Sequence, residues 1–425
     1  MTEIKEFKGF VYNQDKISDL SKVVCPPYDV INEHQRRAYA QKDPSNLIHV
    51  LLSQGQDGLD KYKSASNKFQ ELISNNILIQ DNEPAVYLYD HQYIINNEKK
   101  NRLGFIALLK IDEKGAVFPH ENTHLPAKLD RFELLSHVKA NLSPIFIMFS
   151  DKERMLKRIF DEKLKLSKPD INIVDIDGAS HRIWKVVDKE IIKLIKNNLI
   201  DKPMFIADGH HRYEVASQFR QSMKNISEKF TGDESFNYVM SYFTDVDSSD
   251  LTILPIHRLV KEKSDNTVGI LSEYFDIKNI KSGSELDLLM KKNIDAHVFG
   301  LYDGKFYFLK LKNDNLIEQY VDLDKPHAYK KLDVTILKYL MLKPLFGNPD
   351  TEVKYTIEIN EAVNLVDRKD FELAIFVNPI KIEDLIKIAS FKEKMPQKST
   401  YFYPKVLSGI VIHKFEEFGI LNQVR

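Results

Sequence analysis

Apolar residues recur along this chain with two periods. A spacing of three to four puts Leu59, Tyr62, Phe69, Leu72 and Ile73 on one helical face, does the same for Leu129, Phe132, Leu135 and Val138, and returns in DKEIIKLIKNNL at 188–199. Each segment predicts an amphipathic helix. Short β-rich runs at 85–89, 103–111, 144–149, 182–187, 203–207, 237–243 and 251–256 predict strands, several of them bounded by Asp, Gly, Pro or Ser. Asp177-Gly178 and Asp303-Gly304 stand between such runs and suit tight hairpin turns. The alternation predicts an α+β (mixed α/β) protein whose sheets are mixed or largely antiparallel. The polar stretches DVDSSD at 245–250 and KEKSDN at 261–266 are the softest places for a boundary. We therefore expect a catalytic or binding domain over 1–260 and a C-terminal α/β domain over 261–425 that helps complete the site.

Composition narrows the function classes. The 425 residues are 29% charged and 43% apolar, an enzyme-like balance for about two or three domains of roughly 100–200 residues each. With 61 Lys and Arg against 62 Asp and Glu, the net charge of −1 gives no global attraction to nucleic acid or anionic lipid. A single cysteine, Cys25, cannot form an internal disulfide. The opening MTEIKEFKGF carries charge where a signal peptide needs an apolar run, so the expected location is a reducing cytoplasm. Apolar stretches such as GFIALLKI at 104–111 and SPIFIMF at 143–149 fall short of the roughly 18 residues that a spanning helix needs, and no membrane partner is expected.

The most informative segment is PMFIADGHHRYEVASQFRQSMK at 203–224, where an apolar strand, a polar turn (Asp208-Gly209-His210-His211) and an amphipathic helix follow one another. A helix start presents unpaired N–H groups and partial positive charge, and a glycine there lets a ligand come close to the backbone. With Arg212 and two histidines added, the turn is expected to bind an anion, most naturally phosphate. On this DGHHRYE turn the chain resembles the bacterial family called domain of unknown function 1015. The family's other blocks follow in order: VVCPPYDVI at 23–31, PHENT at 119–123, LDRFELL at 129–135, NLSPIF at 141–146, DGASHRIW at 177–184, LTILPIHRLV at 251–260 and MPQKSTYFYPK at 395–405. The turn is also similar to the nucleotide site of the ParB and sulfiredoxin superfamily, on whose fold free-serine kinases are built. That more distant resemblance implies an NTP-dependent phosphotransferase acting on a small hydroxyl compound, serine first, with ATP or another NTP and Mg²⁺. It implies phosphate binding by Gly209, His210, His211 and Arg212. Asp208, with His210 beside it, would face the reacting centre or the magnesium.

Other constellations are weighed by their chemistry. His120-Glu121-Asn122-Thr123-His124 satisfies H-E-x-x-H, but Pro119 and Pro126 leave room for no more than one helical turn, so a zinc hydrolase is not expected. Glu121 is instead a candidate to orient or deprotonate an attacking hydroxyl, with His120 beside it on the substrate side. That role needs Glu121 near the Asp208 turn. Asp130 reads as a first-turn helix residue, and Arg131 as a fork for a substrate carboxylate. Two prolines stiffen Cys25-Pro26-Pro27-Tyr28-Asp29 and would hold Tyr28 and Asp29 at the rim of a site. Lys398-Ser399-Thr400 resembles the end of a phosphate loop without its glycines. Together with Lys405 and Tyr401, Phe402 and Tyr403, it would close over a nucleotide. Asp245, Asp247 and Asp250 form an acidic loop, and Asp208, Asp245 and Asp247 are the magnesium candidates. Histidines 49, 91, 137, 297, 327 and 413 receive no role.

Two competing functions use the same anion site. A ParB-like nucleotide switch or DNA-partition protein would need a basic DNA surface that the charge balance does not supply. A phosphatase or other phosphate-ester hydrolase would use water as acceptor, and sequence does not separate it from a kinase.

Overall fold

In the computed structural model the strand-forming runs assemble into two main sheets. The structure describes residues 2–55, 59–111, 115–121, 123–164, 167–200, 202–227, 230–321, 324–348 and 350–416. The chain divides into two compact units, each discontinuous in sequence: Met1–Pro119, Thr123–Leu251 and Pro404–Arg425 in the first, His120–Asn122 and Thr252–Tyr403 in the second. No single cut at 260 separates them.

The nine-stranded sheet of the first unit contains β1 (Ile4–Lys5), β2 (Val86–Ile95), β3 (Glu98–Lys110), β4 (Val117–Phe118), β5 (Ile145–Phe149), β6 (Ile171–Val174), β7 (Ser180–Val186), β8 (Met204–Asp208) and β9 (Tyr238–Asp245). Their order is β4-β8-β5-β9-β3-β2-β7-β6, with β1 added to β3. β8 is parallel to β4 and β9 to β5, while the remaining pairs are antiparallel, so the sheet is mixed. Asp177-Gly178 makes the β6–β7 turn, with Gly178 at φ +79°. The β2–β3 hairpin turns through Asn96 and Asn97 at φ 51° and 63°, a left-handed pair that asparagine tolerates.

Side chains alternate along a strand, so this sheet has two faces of different chemistry. Leu88, Phe105, Ala107, Ile145, Ile147 and Ile206 share one face and a core. The helix α3 (Lys189–Leu199) covers it with Ile191, Ile195 and Leu199, after Asp188 caps its first N–H groups. Burying each such aliphatic side chain contributes roughly 1.5–3 kcal/mol. The opposite face carries Tyr89, His91, Arg102, Phe146, His181 and Tyr242, all buried.

Three further helices complete what positions the site: α1 (Lys61–Ser74), α2 (Leu125–Val138) and α4 (His210–Ile226). α2 buries Arg131, Leu134, Leu135 and Val138. The stripe is therefore rotated from the expected one, and Leu129 lies 59% exposed. Leu59 precedes the Asp60 cap of α1, lies outside that helix and is also exposed.

The second unit holds a wholly antiparallel six-stranded sheet: β10 (His257–Val260), β11 (Phe275–Ile280), β12 (Val298–Tyr302), β13 (Phe306–Leu311), β14 (Lys354–Thr356) and β15 (Leu373–Val377), in the order β11-β13-β12-β15-β10-β14. Asp303-Gly304 makes the β12–β13 turn, with Gly304 at φ +104°. The run at 251–256 yields only the short strand Thr252–Leu254, antiparallel to Tyr401–Tyr403. Among the described residues, no helix is long and apolar enough to cross a membrane.

Candidate functional site

The end of β8 departs from simple alternation. Ile206 pairs with Ile147 and Asp208 with Phe146, so Ala207 is an extra residue and the ladder bulges. Without the bulge, Asp208 would share the apolar face of Ile206. With it, the carboxylate turns to the face that carries Arg102 and Tyr242.

Gly209 then makes the whole turn. Its φ of +92° is left-handed, and α4 begins at His210, so the expected four-residue turn is a single glycine, with both histidines already helical. A Cβ at this position would lie 3.0 Å from Arg212 Cζ, which shows how closely the guanidinium covers the glycine. Gly209, the N-cap of α4, has no side chain with which to cap it.

Asp208 is the centre of the charge arrangement. Lys405 Nζ donates to its Oδ1, and Arg212 Nη2 donates to its Oδ2 at 2.7 Å. Arg212 Nη1 also donates to the Pro144 carbonyl. Burial pushes the Asp208 carboxyl up, but Lys405 and then Arg212 outweigh it and hold the group well below the usual carboxylate range. The carboxylate of Asp208 thus lies between two cations at the start of a helix whose N-cap is glycine. Arg212 Nε is buried and has no hydrogen-bond acceptor, an orphan donor at the turn.

The two histidines differ. His210 is buried in the first turn of α4. His211 Nε2 accepts from the His124 backbone N–H at 2.9 Å, which requires a lone pair there and assigns the proton of the neutral ring to Nδ1. Glu214, one turn on, accepts from Thr123 Oγ1 at 2.6 Å and pairs with Lys128 at 3.2 Å.

Beside the turn, the Arg131 guanidinium stacks over the Tyr28 ring at 4.4 Å. It donates to Leu51 O and, twice, to Asp130. Burial pushes Asp130 up, yet Lys61 and Arg131 hold it lower than usual, making it a brace between helices. Arg131 is thus engaged inside the protein rather than presented as an open fork. A small cavity lined by Tyr28, Arg131, Arg212, Asn141 and Ser143 adjoins a larger one of about 340 Å³ that contains Arg36, Lys61 and Arg131. Burial pushes the Tyr28 phenol far up, so it stays protonated, and Asp29 is exposed. Cys25 is buried, with burial pushing its thiol up, which suits an inert residue.

The remaining candidates gather in the second unit. Glu121 forms a parallel bridge with Met395, whose N–H donates to His120 O at 2.7 Å. His120 Nε2 lies 3.1 Å from Thr400 Oγ1, and Glu121 Oε1 accepts from Lys398 N–H at 3.2 Å. Ser399 Oγ donates to Pro396 O, and Lys398 has a left-handed φ of 54°. Here Lys398-Ser399-Thr400 braces the His120-Glu121 segment. Asn122 lies outside the described residues, α2 starts only after His124, and H-E-x-x-H is therefore not carried on a helix.

The magnesium candidates do not make a cage. Asp208 is flanked by cations. Asp245 accepts from the N–H groups of Asp151 and Asp247, and Asp247 from Ser150 Oγ, so these side chains close their own loop. Asp250 joins the same loop: its N–H donates to Ser248 Oγ, and its carbonyl accepts from Tyr93 OH. Among the described residues, no three His, Cys, Asp or Glu side chains come together to hold a metal.

Sequence reasoning missed the polar face. Arg102 Nη2 donates to His91 Nδ1 and to Pro404 O, each at 2.9 Å, and His181 lies between Tyr89 OH and Asp175. A signal was present: Tyr87, Tyr89, His91 and Tyr93 stand at alternate positions of one strand. Lys405 was noted only as one member of an aromatic loop.

A family model described as "Protein of unknown function (DUF1015)" matches residues 4–335. No curated protein matches the sequence. Among solved structures, a free serine kinase in complex with AMP is similar at 12% identity, covering 70% of this chain and 86% of that one, with a TM-score of 0.36. A conserved hypothetical protein from Pyrococcus furiosus is similar at 11% identity (71% and 92% covered, TM-score 0.34). C-terminally truncated SbnI from Staphylococcus aureus is similar at 7% (71% and 85%, TM-score 0.35).

Proposed function

This chain belongs to the DUF1015 family, and because that family's description assigns no reaction, we propose one from the site itself: an NTP-dependent phosphotransferase that acts on a small hydroxyl metabolite, serine being the first candidate. The observation that carries the proposal is the orphan Arg212 Nε–H, buried over Gly209 at a helix start where Arg212 and Lys405 converge on Asp208. A buried donor left without an acceptor costs about 1–3 kcal/mol, and a phosphate oxygen would supply the acceptor.

In this reading the N–H groups at the start of α4, His211 Nδ1–H, Arg212 and Lys405 hold the phosphates. Asp208 is held too acidic to serve as an effective base near neutral pH; its part is to keep the two cations in place. Phosphoryl transfer depends chiefly on positioning and charge neutralisation, which these residues provide. The described carboxylates offer no preformed magnesium cage, so a magnesium ion would enter with the nucleotide phosphates.

The test incubates the protein with Mg²⁺ and each nucleoside triphosphate, with serine and then with a metabolite mixture, and reads products by mass spectrometry. A phosphorylated acceptor with matching nucleoside diphosphate supports the proposal. Phosphate release independent of acceptor makes the protein a hydrolase, and nucleotide binding without turnover makes it a switch. Calorimetry showing no nucleotide binding removes the premise altogether.

A further inference from the structure

The polar face of the nine-stranded sheet reaches the phosphate turn through one buried residue. Arg102, on β3, is wholly buried and stacks over the rings of Phe146 at 4.7 Å and Tyr242 at 5.5 Å. Phe146 is the residue that opposes Asp208 across the bulge, so the guanidinium lies next to Asp208's own strand partner. Its Nη2 donates to His91 Nδ1 and to the Pro404 carbonyl, and the residue after Pro404 is Lys405, the cation on Asp208 Oδ1.

The peptide geometry gives this contact leverage. The proline ring fixes φ at 404, so the direction of the 404–405 peptide depends on one remaining rotation. That rotation swings the Pro404 carbonyl. A hydrogen bond from a planar, fixed donor therefore sets the direction in which the Lys405 backbone departs. The His91 contact orients the donor in turn, since Nδ1 must be an acceptor to receive it.

We propose that Arg102 is a positioning residue of the phosphate turn, pinning the Pro404 carbonyl so that the Lys405 amine stays on Asp208. The inference rests on the phosphotransferase reading for its consequence in catalysis. Its structural half, the hold on Lys405, stands independently of any ligand.

The experiment compares wild type with Arg102→Lys, which keeps the charge and most of the volume but loses the planar guanidinium held against the Phe146 and Tyr242 rings, and with Arg102→Met. Lysines are labelled by timed reductive methylation and quantified by peptide mass spectrometry, and ATP affinity is measured by calorimetry. In Arg102→Lys, Lys405 labelling should accelerate by about tenfold while distant lysines such as Lys291 do not change. ATP affinity should fall by a similar factor, about 1.4 kcal/mol, with a smaller change in kcat than in KM. In a Lys405→Met background the Arg102→Lys change should cost little further affinity, because the two act through one contact. Wild-type labelling and ATP affinity in a folded Arg102→Lys protein would overturn the proposal. Faster Lys405 labelling together with no ATP binding by wild type would retain the hold on Lys405 and remove the phosphotransferase reading. Should Arg102→Met not fold, Arg102→Lys and the double variant decide alone.

Discussion

The two faces of the nine-stranded sheet are built on the same strands, one residue apart. On one, Leu88, Phe105, Ile147 and Ile206 share an apolar core with Ile191, Ile195 and Leu199 of α3. On the other, Tyr89, His91, Arg102, His181 and Tyr242 are equally buried and held by directed contacts: Arg102 to Pro404, Tyr89 to His181, His181 to Asp175. The apolar face gains its free energy from area and tolerates repacking. The polar face is specified atom by atom, and a half-satisfied network costs more than none. The difference teaches where chemistry is placed in this unit. The bulge at Ala207 transfers the end of β8 from the first kind of surface to the second, immediately before the turn.

The comparison breaks most readily at Asp208. Asp208→Ala leaves the half-buried Arg212 and Lys405 without the anion that joins them, and we expect about 3 kcal/mol of lost stability in urea unfolding. Phe105→Ala on the apolar face should cost a similar 3–5 kcal/mol through a cavity, while nucleotide affinity, read by calorimetry on the folded fraction, stays at the wild-type value. Equal effects of the two variants on nucleotide affinity would erase the distinction between the faces.

Arg212→Ala should weaken ATP binding by about 10- to 150-fold, the equivalent of roughly 1.5–3 kcal/mol for a charge-assisted contact. Thermal melts with and without nucleotide check this. A ligand-induced shift as large as that of wild type would confine Arg212 to its ion pair with Asp208.

Acid should sharpen the contrast. Burial lowers the pKa of His91 far below its ordinary value, and burial likewise lowers that of His181 in spite of Asp175. Both rings are neutral in the fold, whereas the unfolded chain takes up protons below about pH 6.5. The unfolded state then binds more protons, so stability falls as pH drops from about 6.5 toward the folded-state values. Urea midpoints at pH 7.5, 6 and 5 should decrease in that order, and His91→Gln should flatten the slope. A midpoint independent of pH over this range would contradict burial of two neutral rings.

The smallest expected effect is that of Gly209→Ala, about 1–2 kcal/mol for a left-handed backbone position with a Cβ close to Arg212. Reduced nucleotide affinity should accompany the loss, since the guanidinium must move.

Much of the fold could be read from local pattern because local pattern causes it. The runs at 144–149, 182–187 and 203–207 became strands, with ends shifted by a residue or two, and both Asp-Gly pairs became hairpin turns, because alternation and left-handed glycine are short-range properties. The strand and helix flanking Gly209 were legible for the same reason. The bulge was not, since it exists only in the pairing of β8 with β5. Nor was the apolar stripe of α2, which is set by what it packs against and puts Arg131 in place of Leu129. Lys405 was seen without its partner: the Asp208 contact spans 197 positions, and no periodicity reports on such a separation. His120 and Glu121 were grouped with the Asp208 turn by chemical suitability alone. Within the second unit they contact Met395, Lys398 and Thr400.

The discontinuity of the first unit has a consequence for the order in which the protein matures during translation. Asp208 and Arg212 leave the ribosome before most of the second unit has been made, but Lys405 and the segment around it, which bridges back to Cys25 at Ser408 and to Phe10 at Ile412, follow only after that unit has been synthesised. A nascent chain therefore holds the aspartate–arginine pair long before it holds the second cation. The completed charge arrangement therefore waits for Lys405, and translation products that stop within the second unit carry Asp208 and Arg212 without it.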